Sequence, residues 1–169
     1  GDIIPFASGI PGQLTTLANG LVENVLLVGF GSSADGISAL GGTIDLTGAV
    51  AGPLINFAFS MPRDGIITSI AAFFSTTLIA SLGESTATIT ATLYHSSLPP
   101  DNSFTPLTSV TLSPNLTTGL PLGTVSFGIN TVSIPVSAQD RLLMVFSATT
   151  SPGTNALIVG YASAGVSIS

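Results

Sequence analysis

Between Leu54 and Leu78 the sequence reads Leu-Ile-Asn-Phe-Ala-Phe-Ser-Met-Pro, then Arg-Asp-Gly, then Ile-Ile-Thr-Ser-Ile-Ala-Ala-Phe-Phe-Ser-Thr-Thr-Leu. Two apolar runs flank a short polar interruption. Pro62 fixes φ and donates no hydrogen bond, which suits the end of a strand. Asp64-Gly65 tolerates the positive φ of a tight reversal, so a β-hairpin is expected with Phe57 and Phe59 on one face. The second run is rich in Ile, Thr and Phe and meets no charge before Glu84, a composition suited to a pleated, half-buried surface. A hairpin this apolar does not stand alone in water, so a second sheet is required over it.

The clearest period in the chain is Thr86-Ala87-Thr88-Ile89-Thr90-Ala91-Thr92-Leu93, with threonine at every even position and an apolar residue at every odd one. This is an antiparallel strand with one face on a core and one hydroxyl-lined face outward. Val25 to Phe30 is a short continuous apolar run, consistent with a strand covered on both faces. Asn19-Gly20 is a strong short-range hairpin signal. Leu14 to Ala18 is read as a brief helical turn, Gly31 to Gly36 as a loop, and Thr43 to Thr47 as a weak strand. Leu98 to Asn102 carries turn chemistry. Further strands are expected at Leu107–Leu112, Val125–Ile134, Arg141–Ala148 and Ala156–Ile168. No register can be assigned over Leu116–Leu122 and Gly123–Thr131. About nine short strands separated by Gly and Pro, with no helical period, predict an all-β fold: an antiparallel β-sandwich or jelly roll. At 169 residues the chain suits one domain.

Charge narrows the function classes. Eight acids, two arginines, one histidine and no lysine give a net charge of −6. Clustered Lys and Arg are what bind phosphate backbones and anionic lipid, so neither nucleic acid nor an anionic membrane is an expected partner. Without cysteine there is no disulfide, thiolate nucleophile or thiolate-bound metal. Mean hydropathy is +0.70, and the uncharged span Gly65 to Gly83 is about as long as a bilayer is thick. That span carries six Ser and Thr residues between Thr68 and Ser81 and no flanking Lys or Arg, so a buried strand and its continuation are expected rather than membrane insertion. Gly1-Asp2 opens without a basic region, and a mature or excised chain is expected.

Chemistry-bearing constellations are few. His95 stands alone beside Tyr94 and reads as a hydrogen-bonded structural residue. A single histidine among abundant serines makes no triad, and Glu23 and Glu84 form no recognisable carboxylate pair. The acidic loops at Asp35 and Asp101 lack calcium-loop spacing and read as solvated turns. No catalytic, cofactor or metal residue is assigned, and no enzyme activity is expected. Each arginine adjoins an aspartate, as Arg63-Asp64-Gly65 and Asp140-Arg141. Both couples are expected to be structural turn and ion-pair devices, each arginine meeting an acid across a loop; a bidentate contact from one of them to a carboxylate on a neighbouring subunit or ligand is the alternative.

Three segments carry a family resemblance: Ile3-Ile4-Pro5-Phe6-Ala7-Ser8-Gly9; Phe57 to Ile70 with Phe73-Phe74-Ser75; and Ala138-Gln139-Asp140-Arg141-Leu142-Leu143. Together they resemble the C-terminal domain of the BclA/BclB-type collagen-like exosporium glycoproteins, the BclB form most closely. The resemblance implies an extracellular jelly-roll head similar to the tumour-necrosis-factor and complement C1q heads, trimeric, at the tip of a spore-surface filament. Residues 1–20 would then be an extended lead-in from a collagen-like stalk and residues 21–169 a single head domain. The chain itself contains no Gly-X-Y repeat.

Composition supports a trimer independently, because the apolar content exceeds what one sandwich core absorbs and a subunit interface accommodates the excess. Phe73, Phe74 and Tyr161 are the residues expected at it. Two functions compete: a structural homotrimer that assembles and caps a fibre, and an adhesin head that binds a host receptor or glycan through loops or grooves, which exposed loop aromatics near Phe104 would favour. A viral fibre or capsid jelly roll would share the composition.

Overall fold

The computed structural model describes residues 1–39, 41–45, 57–97 and 101–169. Among the described residues there are twelve strands and no helix: β1 (Asp2–Ala7), β2 (Gly12–Thr16), β3 (Val22–Val28), β4 (Ser33–Ser38), β5 (Ile44–Asp45), β6 (Phe59–Ser60), β7 (Gly65–Ala80), β8 (Thr86–Ser96), β9 (Ser103–Thr111), β10 (Val125–Val136), β11 (Arg141–Ser151) and β12 (Leu157–Ile168). No helix among them is long and apolar enough to cross a membrane.

Strand pairing sorts the long strands into two antiparallel layers. One has the order β1-β12-β7-β10 and the other β3-β11-β8-β9. β2 pairs with both β12 and β3 and joins the layers along one edge. β4, β5 and β6 extend the margins of the second layer. The chain changes layer at every step from β9 to β12, while β8 and β9 are neighbours within one layer. That alternation over eight principal strands is a jelly roll.

The core fills the space between the layers. Ile67, Ile70 and Phe74 of β7 and Ile158 and Val166 of β12 meet Met144 and Phe146 of β11 and Ile89 and Leu93 of β8. The rings of Phe74 and Phe146 lie 6.3 Å apart across the interior, within the range of favourable aromatic pairs. A second cluster lies on the other side of the β3-β11-β8 layer, where Val25, Leu27, Tyr94, Phe104, Leu143 and Val145 are covered by Ile37, Ile44 and Phe57. β3 therefore divides its apolar run between two interiors, with Leu26 and Val28 in the first and Val25 and Leu27 in the second. This accounts for its lack of alternation.

β8 follows its sequence period: Ala87, Ile89, Ala91 and Leu93 are buried and the threonines between them half-buried. Asn19-Gly20 forms the expected turn. Gly20 adopts φ +87°, its N–H donates to Leu17 O, and β2 and β3 pair on either side.

Several expectations are corrected. The run before Arg63 does not pair with the run after it. β6 pairs with β11 instead, while β7 is flanked by β10 and β12; residues 54–56 of the expected hairpin lie outside the described residues. Gly65 has no positive φ. It opens β7 where a Cβ would lie 2.7 Å from Ile168 Cγ2, so close packing rather than a reversal needs glycine there. Phe57 joins the second cluster and Phe59 the first, so they do not share a face. The brief helical turn at Leu14 is strand β2. Within Gly31–Gly36 the chain enters edge strand β4, because an edge strand needs backbone pairing and not apolar side chains. The expected strand at Thr43–Thr47 is described only as Ile44–Asp45, and residues 98–100 of the expected turn also lie outside the described residues.

Phe74→Ala is expected to destabilise the domain by about 3–5 kcal/mol, because it deletes a fully buried ring from the centre of the core. Chemical denaturation measures this, and a loss below about 1 kcal/mol would contradict the two-layer core.

Candidate functional site

Most ionisable side chains gather at one end of the sandwich, where β1, β7, β9 and β11 begin and β8, β10 and β12 end. Arg63 Nη2 lies 2.7 Å from Asp2 Oδ2 and its Nη1 donates to Asp64 O. Asp64 Oδ1 accepts from the Ala138 N–H at 2.8 Å, tying the start of β7 to the β10–β11 turn. Asp140 is buried; its Oδ2 accepts from Ser137 N at 2.8 Å and lies 3.5 Å from His95 Nε2. The same turn donates Gln139 N–H to Met61 O and receives Met61 N–H at Asp140 O. Arg141 Nη1 donates to Asp101 O at 2.7 Å and Asn102 Oδ1 at 3.1 Å, and its guanidinium stacks 5.2 Å from the centroid of Phe104. These contacts lock turns and strand ends. The exposed Arg63–Asp2 pair contributes at most about 1 kcal/mol. Among the described residues no group of three potential metal ligands converges. Asp35 Oδ2 accepts from the Gln13 N–H.

The other notable surface is the outward face of the β1-β12-β7-β10 layer. Register aligns its residues in rows: Val125, Ser75 and Tyr161; Phe127, Phe73, Ser163 and Ala7; Ile129, Ala71, Gly165 and Pro5; Thr131, Ser69, Ser167 and Ile3. None carries a formal charge. Phe127 is 59% exposed, Ile129 71%, Tyr161 46% and Phe73 40%. Large apolar side chains placed side by side in this way are a feature of interaction surfaces. Of the three residues expected at an interface, Phe73 and Tyr161 lie on this face. Phe74 points the opposite way and is fully buried in its own chain, since neighbours on a strand face opposite sides of the sheet. Phe104, offered above as a marker of loop aromatics, is likewise fully buried.

The chain is similar to a collagen-like protein. Collagen-like protein 1 of Acanthamoeba polyphaga mimivirus is 32% identical over 176 residues, which take in 99% of this chain and 19% of that protein. The chain thus spans 19% of the relative's length. No family model matches the sequence. Among solved structures, Eiger TNF from S. frugiperda aligns with a TM-score of 0.42 and 10% identity, covering 100% of this chain and 94% of that one. A chain of infectious bursal disease virus, Gt strain, aligns with a TM-score of 0.44 and 12% identity, covering 98% and 32% respectively.

Val125, Phe127 and Ile129 are the surface residues that sequence reading left unassigned. Their odd-numbered spacing is a strand period set against Ser126, Gly128 and Asn130, a contrast that points the apolar set toward a core, whereas the structure buries Ser126 and leaves the apolar set outside. At the charged end, the Ser103 N–H and then the Ser96 hydroxyl hold the Asp101 carboxyl below its ordinary range. A depressed folded-state value stabilises the fold above the unfolded pKa, and that contribution fades as pH falls through the folded value. Ser96→Ala is expected to raise the Asp101 pKa toward, but not to, the ordinary carboxylate value, because the backbone donor remains. An NMR titration of the carboxyl carbon tests this, and an unmoved value would show that the hydroxyl has no part.

Proposed function

We propose that this chain is a structural head domain of a collagen-like surface fibre, that it associates as a homotrimer through the outward face of the β1-β12-β7-β10 layer, and that it performs no catalysis. The observation that carries this reading is the uncharged, apolar outer face centred on Phe73, Phe127, Ile129 and Tyr161. A fully buried interface core is depleted in charge and enriched in aromatic residues, and this face has that character. Likeness to a collagen-like protein supports three as the number of copies, since a collagen triple helix winds three chains.

Mechanically, a trimeric head holds three chains together so that Gly-X-Y segments meet in register before a triple helix nucleates. A stalk joined ahead of Asp2 would leave from the charged end of the sandwich, placing the opposite, nearly uncharged loops at the fibre tip. The motifs at residues 3–9 and 57–75 support a filament on a bacterial spore surface, and the viral relative supports a fibre on a virus particle. Both need the same trimeric, extracellular head. With Phe104 buried, the loop aromatic that would favour an adhesin is not available for stacking on a sugar.

A chain carrying about ten Gly-Pro-Pro triplets ahead of Gly1 tests the role. After thermal melting of the triplets below the unfolding temperature of the head, refolding followed by circular dichroism is expected to be independent of protein concentration, because the three strands remain tethered. A rate that rises steeply with concentration, as for free triplet peptides, would contradict the assembly role.

A further inference from the structure

The outward face is not uniformly apolar, and its relief is directional. On the β10 side Val125, Phe127 and Ile129, with Phe73 of β7 beside them, form a ridge of large side chains. Along β12 the outward positions after Tyr161 are Ser163, Gly165 and Ser167, and the adjoining β7 positions are Ala71 and Ser69. Ile3 and Pro5 of β1 stand on the far side. The small residues therefore form a shallow channel between the ridge and β1, closed at one end by Tyr161.

Gly165 is the decisive residue. Its φ is not in the left-handed region, and a Cβ built on it would meet no atom of its own chain nearer than Ile3 Cγ2 at 3.9 Å. Nothing within the chain calls for glycine at the middle of this strand, where glycine weakens the sheet. Gly160, five residues earlier, is the contrast: a Cβ there would lie 2.4 Å from Ser75 O and 2.7 Å from the Phe74 ring, so its requirement is internal. A strand glycine with room to spare inside its own chain fits a site where something outside approaches closely.

We infer that the channel along β12 receives the β10 ridge of a second copy of this chain, with Phe127 and Ile129 of one copy lying over Ser163 and Gly165 of the next. The occupant follows from charge and shape. An uncharged channel requires an uncharged ridge, and the same molecule displays one beside it. Ridge and channel are different patches, so one copy can offer its ridge to one neighbour while its channel receives the ridge of another, a heterologous contact that three copies close into a ring. This inference rests on the trimer reading and adds which surfaces meet.

Two experiments separate its failure from that of the trimer. Gly165→Leu puts a side chain into the channel at a position where a Cβ meets no atom of its own chain nearer than 3.9 Å, and the folded chain is expected to fall to the mass of one copy while keeping native dispersion in its NMR spectrum. If wild type is a trimer and Gly165→Leu remains one, the channel contact is wrong and the trimer stands; a monomeric wild type overturns both. Because the chain has no cysteine, Ile129→Cys and Ser163→Cys give a second test that does not depend on Gly165→Leu folding. Within one chain these positions lie two strands and one row apart, about 12 Å, beyond disulfide reach. The double variant is expected to oxidise to covalent trimers, and each single variant to give no cross-link. Cross-linking by Ile129→Cys alone would show ridge meeting ridge and overturn the inference, as would a double variant that stays uncross-linked.

Discussion

β7 buries large apolar side chains on its inner face and still carries Ala71 and Phe73 outward between Ser69 and Ser75, and the rest of the molecule is arranged around that constraint. Ile67, Ile70 and Phe74 point inward and are covered by the β3-β11-β8-β9 layer. Ala71 and Phe73 point the other way and, with the β10 row, remain uncovered in a single chain. One sandwich answers the first demand. In the proposed trimer the second is answered by another copy, where burial of apolar area contributes about 25 cal/mol per Å².

Scarcity of charge sharpens the same point. Solvent-facing strands such as β8 are clothed in threonine hydroxyls, and most of the ionisable groups are gathered at one end, where Asp140 and Arg141 fix the β10–β11 turn and the start of β9. The outward face of β1-β12-β7-β10 has no formal charge, and its aliphatic hydroxyls are those of Ser69, Ser75, Thr131, Ser163 and Ser167. Its middle is small residues and its β10 margin is aromatic and branched side chains. This gives it relief that a solvated sheet does not need and that a packed one uses.

What the sequence made legible was period, and what it hid was partnership. The threonine alternation of β8, the doubly covered β3 and the Asn19-Gly20 turn were readable because each is a local pattern with one physical solution. The pairing of β6 with β11 was not, since a short strand is placed by the Met61 and Asp140 backbone contacts formed across the chain. The alternation at Phe73-Phe74 announces that one ring is inside, but parity alone does not say which. That choice is made by Phe146, which lies beyond reach of any local window. The ridge on β10 escaped because its apolar odd positions alternate with Ser126, Gly128 and Asn130, and that contrast assigns the apolar set to the core rather than to the outside.

Light scattering from the wild-type chain across a dilution series is the most direct test of the claim that this face is covered by copies of itself. The account predicts a mass of three times 16.8 kDa, unchanged by salt because the face carries no formal charge. A folded protein with the mass of one chain at every concentration would contradict it.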